Sequence, residues 1–336
     1  MATISDVAAH AGVGLGTVSR VLNNSPKVSV ATRARVMAAM EILDYRPSPL
    51  ARGLSRGRCH TVGLLVPLFT HASAVERLRG VVAALHDSPY DLVLFDVESP
   101  RHRDEHFAAL TKRDRADGLL VVSLPPPARD LAKIVGAGVP VVLIDARGDG
   151  VPMVITDDVE GGRIATRHLL ALGHRRIGYI GEEPDNPFGF TATALREQGY
   201  VEALQEAGLT RDGRLVRYSR HDRQAAQQVA SKLLALRNRP TAIFASSDVQ
   251  ATGVLAAASA AGLEVPGDVS VVGFDDIEIS SYAGLTTVRQ PLFESGRIGA
   301  EMLLGALDGE EEHHAGVRQL PLDLVVRTTT AAPKAA

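Results

Sequence analysis

The 336-residue sequence holds a single cysteine, Cys59, which excludes an intramolecular disulfide framework and any zinc site built from several thiolates. No oxidising compartment is implied. Apolar stretches of the ~18–20 residues needed to cross a bilayer are missing. So is the basic stretch followed by an apolar core that marks a secretory leader. The expected location is therefore the cytoplasm, with no membrane partner. Repeats of solenoid period and low-complexity tracts are absent too, apart from an Ala-rich end. Charged residues make up only 22% against 45% hydrophobic ones, so the chain buries a sizeable core, and disorder is expected only at its ends. Its length suits a small module joined to one large or two medium lobes.

The charge that is present is unevenly placed. Residues 1–58 carry eight basic side chains (Arg20, Lys27, Arg33, Arg35, Arg46, Arg52, Arg56, Arg58) against Asp6, Glu41 and Asp44, a net +5, which leaves −8 for the remainder of a chain whose total is −3. A small basic module on a larger acidic one is expected to touch a polyanion while the rest stays soluble and off it.

Three short helices are predicted over the first 45 residues. Thr3 caps the first, with Asp6 in its opening turn and Val7, Ala8 and Ala11 on its apolar stripe. After Gly12-Val13-Gly14 a second helix runs through Leu15, Val18, Val21 and Leu22, and Asn23-Asn24-Ser25-Pro26 stops it. Ser29 caps the third, Ala31 to Leu43, with Val36, Met37, Met40 and Leu43 inward. The pattern is a helix-turn-helix with a supporting helix. A Pro- and Gly-interrupted basic stretch follows, in which Gly53 makes any helix marginal. From His60 onward β-branched runs (Val62–Leu68, Leu92–Val97, Gly118–Ser123, Val139–Asp145, then Arg176–Gly181, Thr241–Ser246 and Val269–Phe274) alternate with helical segments such as Ala192–Ala207 and Ala225–Leu236. Two α/β lobes with parallel sheets follow from this, and ligands of such sheets bind off the carboxyl ends of the strands.

A family resemblance becomes specific in the N-terminal segment. Thr3-Ile4-Ser5-Asp6-Val7-Ala8, Ala11-Gly12-Val13 and Thr17-Val18-Ser19-Arg20-Val21-Leu22-Asn23, continued by Val28-Ser29, Thr32-Arg33, Val36, Tyr45-Arg46-Pro47-Ser48-Pro49, Ala51-Arg52 and Leu54, resemble the lactose-repressor (LacI/GalR) family. The resemblance then covers nearly the whole chain. It implies an all-α helix-turn-helix headpiece over residues 1–46, a hinge helix or linker over 47–59 and a tail over 331–336. Residues 60–330 would form an α/β two-lobed periplasmic-binding-protein-like body with parallel, Rossmann-like sheets: an N-lobe of about 60–157 plus 291–320 and a C-lobe of about 158–290 plus 321–330.

The implied activity is sequence-specific transcriptional regulation, with repression as the default sign and no enzymatic activity or cofactor. The implied partners are a pseudo-palindromic double-stranded operator, a second copy of the chain (a tetramer staying open) and a small-molecule effector, carbohydrate by family precedent, between the lobes. Family members both release and hold DNA on binding their ligand, so the sign of the response stays open.

The resemblance places base readers at Leu15, Gly16 and Arg20. Backbone contacts fall to Ser5, Thr17, Ser19, Asn23, Lys27, Ser29 and Thr32, and hinge contacts to Ala51, Leu54 and Ser55. Arg20 can fork onto guanine O6 and N7, and Leu15 either meets a thymine methyl or packs inward. Gly14-Leu15-Gly16 replaces residues that usually carry hydroxyls and amides. Leu54 is expected to wedge the minor groove with its dimer mate, and loss of hinge order is expected to weaken DNA binding.

The effector residues implied are Arg196, which can fork onto vicinal hydroxyls or a carboxylate, and the strand-end acids Asp275, Asp145 and Asp248. Helix capping or an ion pair with Arg196 is the alternative for each acid. An Asn-Pro-aromatic-aromatic loop of many relatives is replaced by His71-Ala72-Ser73-Ala74, in which His71 is itself an expected effector contact, so a stacking wall must come from elsewhere, with Phe188, Phe190 and His221 as candidates. Gly53-Leu54-Ser55-Arg56-Gly57 mimics a hydrolase nucleophile elbow without its strand and helix. Gly12-Val13-Gly14-Leu15-Gly16 is no dinucleotide loop, and Glu310-Glu311-Glu312-His313-His314 reads as a solvated run rather than a metal site. A periplasmic sugar-binding protein and a sugar-acting hydrolase are the competing classes.

Overall fold

The computed structural model describes residues 2–22, 25–45, 59–111, 115–183, 185–309 and 316–334, and the expected hinge contacts at Ala51, Leu54 and Ser55, with Asn23 and the run 310–314, lie outside them. Packing divides the chain into an N-terminal unit ending at His60 and a larger unit beginning at Thr61.

The N-terminal unit is built from α1 (Ile4–Ala11), α2 (Leu15–Leu22) and α3 (Val30–Ile42). Thr3 and Asp6 close a reciprocal capping box on α1, which ends on Gly12 at φ 61°, a left-handed position that returns the glycine amide to Ala8 and Ala9. Ser29 caps α3 by accepting from the Thr32 amide. Val7, Ala8, Ala11, Val18, Val21, Val36 and Ala39 form the core. Arg33 reaches from α3 to the carbonyls of Val21 and Ser25, fixing the end of α2. Met37, expected inward, is 53% exposed, because its place on α3 lies beyond the reach of α1 and α2.

The larger unit runs β1 (Thr61–Pro67), α4 (Ala72–Leu85), β2 (Asp91–Val97), α5 (Pro100–Ala109), β3 (Gly118–Val122), α6 (Ala128–Gly136), β4 (Val141–Ile144) and β5 (Met153–Ile155). It continues with α7 (Asp158–Ala171), β6 (Ile177–Glu182), α8 (Ala192–Glu206), β7 (Val216–Ser219), α9 (Arg223–Leu234), β8 (Ala242–Ala245) and α10 (Asp248–Ala260). Then come β9 (Ser270–Asp275), α11 (Glu278–Tyr282), β10 (Thr286–Arg289), α12 (Leu292–Asp308), β11 (Val317–Gln319) and β12 (Asp323–Val325).

Two six-stranded sheets result, in orders β11-β5-β4-β3-β1-β2 and β12-β10-β9-β8-β6-β7, which are the same order written twice. All pairings are parallel except β10 with β12. Strands such as Gly118–Val122 and Val141–Ile144 are buried throughout, as sheets covered on both faces require. The chain passes between the sheets three times, after β5, after β10 and after β11. Short strands β5, β7, β10, β11 and β12 are additions to the sequence-based pattern. The Ala-rich end is not a loose tail as far as Lys334: Ala331 bonds Ser270 and His174, and Lys334 pairs with Asp268.

Each lobe contains a crossing of paired glycines too close for any side chain. In the first, a Cβ on Gly80 of α4 would lie 2.0 Å from the Phe293 carbonyl oxygen of α12, and one on Gly296 of α12 would lie 2.0 Å from that of Arg77. In the second, Gly199 of α8 meets the Val159 carbonyl of α7 at 1.9 Å, and Gly162 of α7 meets that of Arg196 at 2.1 Å. Main chain rests on main chain at both places, and each crossing sets the height of one arginine.

Candidate functional site

Within the N-terminal unit, α2 buries Val18 and Val21 and turns Gly16 and Arg20 outward, with Leu15 52% exposed at its first turn. Leu15 therefore does not pack inward. Ser5, Lys27 and Ser29 are exposed; Thr17, Ser19 and Thr32 are half-buried, and the Ser29 hydroxyl donates to that of Thr32 at 2.9 Å. A helix presenting one guanidinium and one apolar tip has the shape that a major groove admits.

The second site lies where strand order reverses around β1 and β6, at the carboxyl ends of the strands. A cavity of about 310 Å³ opens there between the lobes. It brings together His71, Asp145, Phe190, Arg196, His221 and Asp275 of the sequence-based set. Backbone strain marks the same places: Leu68, Ser123, Asp145 and Asp275 all line the cavity with φ between 50° and 114°. Left-handed non-glycine residues cost energy and persist only where surrounding structure holds them.

Arg196 stands on the second close crossing. Its Nε donates to Asp158 Oδ1 at 2.8 Å and its Nη1 to the Ser246 carbonyl at 2.6 Å, with Asp275 Oδ1 at 3.8 Å and the guanidinium carbon 3.7 Å above the Phe274 ring. On the first crossing, Arg77 pairs with Asp145 at 2.9 Å and donates to Gln290 Oε1 at 3.4 Å. The Ser123 hydroxyl donates to Asp145. Gln290, at the end of β10, gives its amide to Asp275 at 2.6 Å and takes the Thr156 hydroxyl at 3.3 Å, so one polar chain runs from Arg196 to Ser123 across the connections between the lobes.

Burial is the largest influence on the titration of Asp158 and Asp275. It pushes Asp158 up to about 6, against the pull of Arg196, and raises Asp275 as well.

On the flank, the His71 and His221 rings stack 5.0 Å apart at 17°, one from each lobe, and Glu182 holds His221 Nδ1 at 2.8 Å. Burial, the largest single influence, opposes charging of His221, but the hydrogen bond and charge of Glu182 together with the charge of Asp275 outweigh it and the pKa rises; burial and then the neighbouring His221 lower that of His71. Phe188 and Phe190 stack on each other at 5.2 Å and pack against the core of the first lobe, while the Asn186 side chain binds both backbone groups of Phe190. Phe190, His71 and His221 thus give the cavity aromatic and imidazole faces.

Asp248 is not brought to this cavity. It is fully buried at the start of α10, where it accepts from the Ile277 amide and the Ser280 and Thr287 hydroxyls, so it joins β10 and α11 to the sheet. Arg77, Asp158, Gln290 and Glu182 were missed by sequence reasoning. The first had a signal: Arg77-Leu78-Arg79-Gly80 repeats the spacing of Arg196-Glu197-Gln198-Gly199. Among the described residues no group of His, Cys, Asp or Glu is arranged to hold a metal ion, and no helix is long and apolar enough to cross a membrane.

Comparison with known proteins bears on both sites. Residues 3–48 match the family described as bacterial regulatory proteins, lacI family, and residues 166–330 the periplasmic binding protein-like domain. The HTH-type transcriptional repressor PurR of Proteus mirabilis (strain HI4320) is 34% identical over 318 residues, 93% of this chain and 92% of that protein. Among solved structures, a transcriptional regulator CelR–cellobiose complex is 34% identical, with TM-score 0.71, over 98% of this chain and 100% of that one. The lac repressor dimer bound to operator and the anti-inducer ONPF is 28% identical, with TM-score 0.83, over 98% and 99%.

Proposed function

Since the chain belongs to the LacI family of bacterial regulatory proteins, DNA-binding transcriptional repressors with an effector-binding domain, we propose that it binds a pseudo-palindromic operator as a homodimer and that a carbohydrate held between its lobes controls that binding. The observation that carries the effector half is the set of buried arginines and carboxylates converging on one inter-lobe cavity at the strand ends. Carboxylates there accept from hydroxyls, and a flanking imidazole or phenyl face suits the apolar side of a sugar ring. A related regulator has been solved with cellobiose and another with ribose, which supports the same ligand class.

The DNA half rests on α2. Arg20 and Leu15 are its base readers, Ser5, Thr17, Ser19, Lys27, Ser29 and Thr32 its phosphate contacts, and few polar groups remain to read sequence directly. Specificity then leans on Arg20, on the methyl contact of Leu15 and on DNA deformability. The two-lobed body is shared with sugar-binding proteins that never meet DNA, but the helix-turn-helix unit favours regulation.

Selecting genomic fragments on the full-length protein should yield a two-fold-related site bound by two chains, with affinity that falls steeply with salt and changes on adding one member of a panel of neutral sugars and nucleobases. Consumption of a sugar without salt-dependent DNA retention would overturn the reading.

A further inference from the structure

The charges facing the cavity do not balance. Two guanidiniums, Arg77 and Arg196, meet three carboxylates, the buried Asp158 and Asp275 and the partly buried Asp145. Glu182 and His221 form a separate pair, with His71 stacked on the imidazole. Glu197 is held by Arg211 and the Tyr218 hydroxyl. Glu183 and Arg147 line the rim but are exposed, where water and salt screen them. The floor is left one positive charge short.

Each arginine already holds a carboxylate. A carboxylate or phosphate is gripped by two parallel N–H groups of one guanidinium. On Arg196 the Nε and Nη1 donors are committed to Asp158 and the Ser246 carbonyl, and on Arg77 Nη2 is committed to Asp145 and Gln290. Arg77 Nε is buried and has no acceptor among the described residues. A lone N–H is matched by one oxygen of a hydroxyl or a water, and three carboxylates are matched by hydroxyl or ammonium donors.

We propose that the effector carries no negative charge and is recognised as a hydrogen-bond donor by Asp145, Asp158 and Asp275, one of its oxygens accepting from Arg77; sugar phosphates and sugar acids are excluded. This deepens the carbohydrate reading above and rests on the same cavity. The upward push of burial on Asp158 and Asp275 agrees with a floor that lacks a cation.

The test is titration calorimetry on the full-length protein with matched probes: glucose, glucosamine, glucose 6-phosphate, gluconate and inorganic phosphate. The wild type is expected to ignore the three anions at millimolar concentration. Asp158→Asn, which releases Arg196, is expected to bind gluconate or phosphate at least about tenfold more tightly than the wild type, a change of ~1.4 kcal/mol. Asp145→Asn, which releases Arg77, is the second variant should the first fail to fold by circular dichroism. Asp130→Asn, at a surface pair with Lys133, is expected to change nothing.

Anion binding by the wild type that disappears in Arg77→Met or Arg196→Met overturns the proposal while keeping the cavity as the effector site. Folded Asp145→Asn and Asp158→Asn proteins that both stay blind to anions overturn it as well, since saturation of the arginines would not be the cause. A gain of anion binding in the variants, with no sugar bound by the wild type, sinks the carbohydrate reading and leaves the charge rule standing.

Discussion

Replacing Gly162 by alanine tests whether the close crossings position the cavity arginines. The added Cβ would sit 2.1 Å from the Arg196 carbonyl oxygen, against 3.4 Å or more for an ordinary contact, so α7 and α8 must part by roughly 1 Å. Both colliding groups are main chain and cannot rotate away. Overpacking of this kind costs ~1–3 kcal/mol, and alanine's better helix propensity returns up to ~1 kcal/mol. The net loss should be about 1–2 kcal/mol, or several degrees in Tm at ~2–4 °C per kcal/mol for a domain of this size.

Gly136→Ala is the control. It ends α6 with nothing within 4 Å of the added carbon, and should gain ~0.4–1 kcal/mol through the unfolded chain alone. Urea midpoints at constant m-value measure both. Because Asp158 lies on α7 and Arg196 on α8, parting the helices also stretches their ion pair, so the effector response of Gly162→Ala should weaken further than its stability loss explains. Equal midpoints for the two variants would refute the argument.

Leu15→Ala should leave stability within ~0.5 kcal/mol, since Leu15 is exposed, yet weaken operator binding by about 1 kcal/mol in a fluorescence anisotropy titration. In Asp248→Asn the pH dependence should flatten: burial first and Asp275 second hold the native carboxyl at about 7, so its contribution is full in acid and is lost as pH rises through 7, and the gap between variant and wild type in urea should move in the variant's favour from pH 5.5 to 8.5. His71 and His221 should titrate on opposite sides of 6.5 by NMR: the His71 contribution is lost as pH falls and that of His221 as pH rises, so their stack is firmest between the two, and coincident curves would refute it. Phe190→Ala, half-buried against the first lobe, should cost ~2 kcal/mol, below the ~3–5 of a fully buried phenylalanine, and raise the effector Kd by calorimetry.

Fold class was legible because buried parallel strands announce themselves as apolar runs: Gly118–Val122 and Ser270–Asp275 needed only composition and period. The short edge strands were not, since Val317–Gln319 is exposed and takes its strand form from neighbours rather than from pattern. Met37 misled for a related reason, as helical spacing predicts a face but not the width of what covers it. At the cavity, strand-end position was enough to find Asp145 and Asp275, but it equally selected Asp248, whose partners Ser280 and Thr287 lie more than thirty residues away in sequence. Arg77 was hidden inside an ordinary amphipathic helix, and only comparison with the second lobe reveals its spacing.

The paired glycine crossings also bear on how a signal leaves the cavity. A layer of side chains between two helices yields when pushed, because rotamers shift and small gaps close, and part of any displacement is absorbed. Where peptide planes touch directly there is nothing to compress. Arg77 and Arg196 are each rooted at such a contact, so a pull on either guanidinium reaches the axes of both helices beneath it nearly undiminished. The three connections between the sheets are then where relative movement of the lobes is expected.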